Sequence, residues 1–123
     1  MTLIEWEPEF VLGIPRSDAD RRNIIGLING LNEQLQSAQH RTTIVALLKK
    51  LHSSAAKHFA HEEAVMRECG DDEYEELAAE HHRLLDRIKT CISDCQTEPL
   101  DDGTAKWLAN WFRYHFQSHD VRL

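Results

Sequence analysis

One apolar stripe in the middle of the chain constrains the fold more than any other feature. From Arg41 to Arg67 the sequence contains no Gly or Pro and consists mostly of good helix formers. Its apolar residues recur at three- and four-residue spacing, which places them on one face of a helix. That face comprises Ile44, Leu47, Leu48, Leu51, Ala55 and Val65. His58 and Glu62 lie on the same face, one turn apart. An unpaired charge there would cost several kcal/mol, so a metal ion that binds both side chains is one economical explanation.

Two other segments also carry a histidine on an apolar face. His81 shares its face with Leu77, Leu84 and Ile88, and His115 shares one with other apolar residues, namely Leu108, Trp111 and Phe112. Any one of these histidines taken alone is explained as an ordinary core or surface residue. Three of them, together with Glu62 and the later Asp120, favour a shared metal site.

The position of Asp120 does not suit a regular helix. It follows His115 by five residues, which is about 140° around the helix axis. Both side chains face inward only if the helix widens into a π-type turn or ends there. His119 follows His115 by four residues, so it is the rival for this position.

The remaining patterns predict four helices and an N-terminal arm. Pro8, Gly13 and Pro15 interrupt residues 1–16, which we expect to form an extended arm packed against the body. The first expected helix runs from Ser17 or Asp18 to Ala38, and the second from Arg41 or Thr42 to Arg67, with a stop near Gly70. The third runs from a cap at Asp71–Asp72 to Cys95. The fourth begins after a cap at Asp101, Asp102 or Thr104.

Short connections between these helices predict that neighbours run antiparallel. No segment alternates between apolar and polar residues with a period of two, so we predict no sheet. The predicted fold is therefore all-α: a single domain, 1–123, forming an up-down-up-down antiparallel four-helix bundle with the extended arm laid over one end.

Charge and composition exclude several classes of function. The net charge is −7 and no cluster of Lys or Arg is present, which argues against a nucleic-acid or membrane-surface partner. No apolar run approaches the roughly 20 residues that span a bilayer. The acidic start, with Glu5, Glu7 and Glu9, is unlike a signal peptide, so we expect a cytoplasmic protein.

The cysteines agree with that location. Their odd number, three, does not suit a disulfide framework. We favour reduced thiols, although Cys91 and Cys95 are one turn apart and leave a redox pair or a soft-metal site open.

Several motifs together resemble the bacterial hemerythrins over essentially the whole chain. They are Trp6 through Gly13-Ile14-Pro15, Asp18, Ile28-Asn29, His58-Phe59-x-x-Glu62-Glu63-x-x-Met66, Glu80-His81 and Trp111-x-x-x-His115-Phe116-x-x-x-Asp120. The resemblance implies a four-helix bundle with two non-haem irons that binds dioxygen reversibly. It also implies the metal ligands His58, Glu62, His81, His115 and Asp120, with Glu62 and Asp120 bridging the irons.

Two ligand histidines of that family are replaced in this chain. Arg21 stands in place of the helix-one histidine, and Leu77 in place of the first histidine on helix three. A guanidinium cannot ligate a cation and a leucine has no ligand atom. Arg21 would instead supply positive charge to Glu62 or Asp120, and Leu77 would fill the space of an imidazole.

We therefore expect a depleted site. The remaining side chains His81, His115, Glu62 and Asp120 would hold one iron, manganese or zinc ion, and affinity alone favours zinc over iron. Because oxygen binding of the family type requires two irons, we expect at most one tightly bound metal and no stable oxygen adduct. Other histidines within a turn of the site are possible substitute ligands: His61, His82 and His119.

Three functions remain open at this point. The first is a non-haem iron protein of the oxygen-binding family, which binds, stores or senses dioxygen or another small diatomic ligand. The second is a metal-free scaffold that binds an unidentified protein partner. The third, a mononuclear iron oxidative enzyme, is the least favoured, because the sequence shows no nucleophile–base pair, phosphate loop or cofactor fingerprint. We therefore predict that the protein is not an enzyme.

Overall fold

A computed structural model of the chain describes Ile4 and residues 15–36, 41–70, 72–101 and 103–118. These residues form four helices, α1 (Pro15–Gln36), α2 (Arg41–Cys69), α3 (Tyr74–Cys95) and α4 (Gly103–Ser118). Within these ranges there is no strand. The prediction of an all-α four-helix bundle is confirmed.

The starts of α1 and α3 differ from the expected ones. α1 begins at Pro15 rather than at Ser17 or Asp18, because proline is well tolerated in the first turn, where its missing N–H would be unpaired anyway. α3 begins after Glu73, which makes no capping hydrogen bond through its side chain. The expected cap at Asp71–Asp72 is therefore not the start of α3; Asp72 lies in the preceding turn and Asp71 outside the described residues.

The other predicted boundaries have a clear physical cause. Gly70 ends α2 with a φ of 68°, the left-handed conformation that glycine adopts without strain. Asp101 accepts a hydrogen bond from the Gly103 amide through its side chain (2.8 Å) and one from the Thr104 amide through its carbonyl (3.0 Å). Asp101 thus caps α4.

Of the expected N-terminal arm, only Ile4 lies within the described residues before α1. Its side chain is buried. Its amide donates to Asn29 Oδ1 (3.0 Å) and its carbonyl accepts from Asn29 Nδ2 (2.8 Å). One asparagine of α1 thus satisfies both backbone groups of Ile4.

The helices pack α1 on α2, α2 on α3 and α1 on α4. Their apolar faces form one core. None of the described helices has an apolar stretch long enough to cross a bilayer.

Candidate metal centre

Antiparallel packing brings one residue from each helix to a common level. Arg21 lies fifteen residues before the end of α1, and His58 lies seventeen residues after the start of α2. His81 lies seven residues after the start of α3, and Glu62 lies seven residues before the end of α2, so both are equally far from the α2–α3 turn. His115 lies twelve residues into α4. At 1.5 Å per residue these positions differ in height by only a few ångströms, so the side chains can meet.

Glu62 is the centre of this cluster. Its Oε1 atom lies 3.0 Å from His115 Nε2, 3.3 Å from His58 Nε2 and 3.7 Å from His81 Nε2. Glu62 and the three histidines are all buried. The His115 contact is a hydrogen bond, in which Nε2–H donates to the carboxylate.

His81 presents a lone pair to Glu62. Its Nδ1–H donates to Glu63 Oε2 at 2.9 Å, which leaves Nε2 as the unprotonated nitrogen of the neutral ring. His81 Nε2 and Glu62 Oε1 are therefore two acceptors facing each other across 3.7 Å. Neither His81 Nε2 nor Glu62 Oε2 has a hydrogen-bond partner among the described residues. Such a pair of buried acceptors is stabilised by a cation between them.

The charge states suit metal binding. Burial lowers the pKa of His81 to about 4, despite the opposing effect of its hydrogen bond to Glu63. Burial also lowers the pKa of His58. Both rings are thus neutral at pH 7, as a metal ligand must be. Burial acts to raise the pKa of Glu62, but the hydrogen bond from His115 and the neighbouring His58 and His81 outweigh it, so its pKa is lowered and Glu62 is ionised.

Arg21 is completely buried on α1, with an exposed fraction of 0%. Burial lowers its pKa, while the charges of Glu62 and Asp18 act to raise it. An arginine nonetheless stays protonated in proteins. The same charge helps to lower the pKa of His58. A buried positive charge on α1 therefore acts on both His58 and Glu62.

The structure does not bring every candidate residue to the cluster. Leu77 is buried on α3, one turn before His81. His82 is exposed and His61 is half-buried, because each follows or precedes an inward residue by one position, about 100° around its helix. Asp120 and His119 lie outside the described residues.

Two residues of the site were missed because their roles depend on packing between helices. Glu63 was quoted only as part of a motif, yet it fixes the tautomer of His81. Phe59, four residues earlier on the same side of α2, stacks on the His81 ring with centroids 3.9 Å apart and planes at 6°. The i, i+4 spacing of Phe59 and Glu63 was the available signal for a second functional stripe on α2.

Two further side chains support the ligand rings. Asp20 Oδ2 lies 3.8 Å from His58 Nδ1. Trp111 stacks on His115, with centroids 5.0 Å apart and planes at 16°. Each of the three histidines is thus held in place by groups other than Glu62.

These residues fit one divalent ion. Ligand atoms of three buried side chains, His58, Glu62 and His115, lie within 4.8 Å of one another, and within the described ranges this is the only such group of three or more His, Cys, Asp or Glu. His81 Nε2 faces the same carboxylate. Imidazole nitrogens with a carboxylate suit iron, manganese or zinc.

Comparison with known proteins agrees with this geometry. The family model of the hemerythrin HHE cation binding domain matches residues 13–121. A bacteriohemerythrin of Stenotrophomonas maltophilia is 27% identical over 124 residues, which cover 98% of this chain and 78% of the relative. A bacteriohemerythrin of Pseudomonas aeruginosa is 24% identical over 122 residues, 98% of this chain and 79% of its own length.

Solved structures show the same fold. Crystal structures of hemerythrin variants, with one leucine replaced by tyrosine in one and by alanine in another, superpose with a TM-score of 0.88. The match covers 99% of this chain and 95% of the solved chains, at 22% sequence identity.

Proposed function

The chain belongs to the hemerythrin family, and from this premise we propose that it is a non-haem metal protein whose site holds at most one tightly bound ion. One observation carries the proposal. Arg21 is completely buried, and its charge interacts with a carboxylate that three histidines surround. The chain thus retains ligands for one metal and has a built-in positive charge where the family resemblance places a ligand of the second.

His81, His115 and Glu62 would hold the ion, with Asp120 and His58, whose Nε2 lies 3.3 Å from Glu62 Oε1, as further ligands. His81 already directs an unprotonated nitrogen at Glu62. His115 would hold the metal through Nε2 after its ring proton, now directed at Glu62, moves to Nδ1. Iron is the ion that the family resemblance implies, whereas affinity alone favours zinc.

Arg21 opposes a second ion on the α1 side. Its guanidinium has no lone pair to donate. Two unit charges 4 Å apart interact by about 4 kcal/mol at an effective dielectric constant of 20, and burial keeps screening weak. The same charge already neutralises part of the negative charge of Glu62. A second metal would therefore bind next to a cation, with one ligand fewer than the family provides.

Family-type oxygen binding depends on two irons, so we propose that the isolated protein does not bind dioxygen reversibly. A bound iron would supply a Lewis-acidic, redox-active centre. The chain's own residues would exclude water from it, because buried Phe59 contacts the rings of His81 and His115 and buried Phe112 stacks on Phe59. We propose a role in binding or sensing a small ligand, rather than in catalysis.

The test is the metal content of protein purified without a histidine tag and reconstituted anaerobically with ferrous iron. We expect one iron per chain rather than two or none, and no reversible visible band when air is admitted. Two irons with an oxygen-dependent band would overturn the proposal.

The alternative is a metal-free scaffold that binds a protein partner. The buried charge of Arg21 favours this alternative, because it compensates the charge of Glu62 in part without a metal ion. This alternative predicts no tightly bound iron or zinc after the same reconstitution, whereas our proposal predicts one ion. The single measurement therefore separates the two functions.

A further inference from the structure

A solvent-open groove lies between α3 and α4, on the outside of the bundle. Within the described part of the chain, these two helices pack less closely than the other neighbouring pairs. The cavity between them has a volume of about 480 Å³. Small-molecule sites typically occupy about 300–1,000 Å³.

The two walls of the groove differ in chemistry. The α4 wall consists of two indoles one turn apart, Trp107 and Trp111. The α3 wall is polar and comprises Glu80, Arg83, Asp86, Arg87 and Thr90. Trp107 is 39% exposed, which is unusual for so large an apolar side chain and leaves it available to a ligand.

Arg87 decides which sign of charge the groove accepts. Its guanidinium lies 4.8 Å above the centre of the Trp107 ring. This cation already fills the position that a cationic ligand would take on the indole face. A stacked guanidinium still presents N–H groups at its edge, which suit a carboxylate or phosphate. Arg83 lies one turn away on the same wall and offers a second fork of donors.

The two acids of the α3 wall do not cancel this preference. Asp86 also acts on His52 of α2, where its charge opposes the lowering of the histidine pKa by burial and by Lys89. Glu80 has its own interaction within the protein. The arginine beside the indoles is therefore the charge that a planar ligand would meet.

We propose that this groove binds a small planar aromatic molecule that carries one anionic group. The ring packs in the groove against the parts of the Trp107 and Trp111 indoles that Arg87 does not cover, and the anion bonds to Arg83 and Arg87. This binding is independent of the metal site.

Trp111 connects the groove with the interior. The indole that lines the groove also stacks on His115. Occupancy of the groove is therefore expected to change metal affinity, and metal to change ligand affinity by the same factor. This connection rests on the proposed function, whereas binding in the groove does not.

The test uses 2-naphthoate as the carboxylate, 2-naphthyl phosphate as the phosphate and 2-naphthamide as the neutral control. Metal-free protein is titrated while the indole N–H signals are followed by NMR. We expect the Trp107 and Trp111 signals to shift with both anions, with a dissociation constant below about 1 mM. The anion with the lower dissociation constant shows whether the groove prefers a carboxylate or a phosphate. The neutral amide should bind at least about tenfold more weakly, since it lacks the charge-assisted hydrogen bonds.

Substitutions on α3 separate the groove from general charge effects. Arg83→Gln and Arg87→Gln should each weaken binding of the anions by about tenfold. Lys89→Gln removes an exposed cation of the same helix that does not line the groove, and should leave binding unchanged. Equal affinity for anion and amide, equal effects of Arg87→Gln and Lys89→Gln, or no shift at Trp107 and Trp111 would each overturn the proposal. If the anions bind in the groove but leave the zinc affinity of the protein unchanged, only the connection through Trp111 is contradicted.

Discussion

Glu63 accepts a hydrogen bond from His81 Nδ1 at 2.9 Å, and the adjacent Glu62 lies on the other side of the same ring, 3.7 Å from Nε2. Consecutive residues of α2 thus contact the two nitrogens of one histidine on α3. Glu63 holds the proton on Nδ1, which leaves Nε2 available to a metal. Carboxylates that orient a ligand histidine in this way typically change metal affinity 10- to 100-fold when removed.

Replacing Glu63 should weaken metal binding without unfolding the bundle. We expect Glu63→Ala to lower zinc affinity by roughly 10- to 100-fold in a chelator competition assay. Glu63→Gln keeps an acceptor oxygen and should lose less zinc affinity than Glu63→Ala. Glu76→Ala, which removes an exposed acid of α3, serves as the control. Equal zinc affinities for Glu63→Ala and Glu76→Ala would show that Glu63 does not position His81.

Removing the buried positive charge should destabilise the metal-free protein. Arg21→Ala leaves Glu62 without its nearby cation in a dry core, which costs roughly 3–5 kcal/mol of unfolding free energy. The matched control is Arg22→Ala, since Arg22 is the adjacent arginine and is exposed. Urea unfolding in the presence of a chelator measures the free energy of unfolding of both variants. If the two variants are equally stable, Arg21 does not compensate the carboxylate.

Restoring the two replaced ligands should raise the metal content. The double variant Arg21→His with Leu77→His removes a fixed charge and adds two imidazoles at buried positions of α1 and α3. We expect iron per chain after anaerobic reconstitution to rise toward two. Arg22→His adds an imidazole at an exposed position and should bind the same amount of iron per chain as the parent. A double variant that still binds one iron would contradict the assignment of these positions.

The metal-free protein should lose stability as the pH falls from about 6.5 to about 4. The pKa of His81 is about 4 in the folded protein, against 6.5 for an exposed histidine. Between these values the unfolded chain binds the additional proton, so stability rises with pH. The stabilisation is complete above pH 6.5 and amounts to on the order of 3 kcal/mol by comparison with pH 4.

Chemical unfolding at several pH values checks this dependence. His81→Gln should reduce the slope of stability against pH by about 1.4 kcal/mol per pH unit in that window. His82→Gln alters the next, exposed histidine and should keep the parent's slope. A parent and a His81→Gln variant with the same slope would rule out His81 as the titrating group.

The sequence predicted the bundle well because helix periodicity is a local property. The apolar stripe of α2 and the weaker ones of α3 and α4 identify which face each helix buries, and the helix count and fold class are confirmed. Boundaries were less predictable. Pro15 reads as an interruption, yet it opens α1, and the two acids before α3 read as a cap, yet Glu73 precedes the helix without such a bond. Both outcomes depend on how the ends meet their surroundings.

By itself, the sequence determined that five residues of the site face the interior, and all five are buried: His58, Glu62, Leu77, His81 and His115. Helical spacing decides this, because side chains three or four residues apart must share a face. Only the tertiary structure decided how the histidines are oriented and which one presents a lone pair. The proton position on His81 depends on Glu63, which is 18 residues away along the chain and reaches the ring only because α2 and α3 pack at one level. Side-chain hydrogen bonds between helices depend on the register and rotation of both partners, and neither is encoded in the periodicity of one helix.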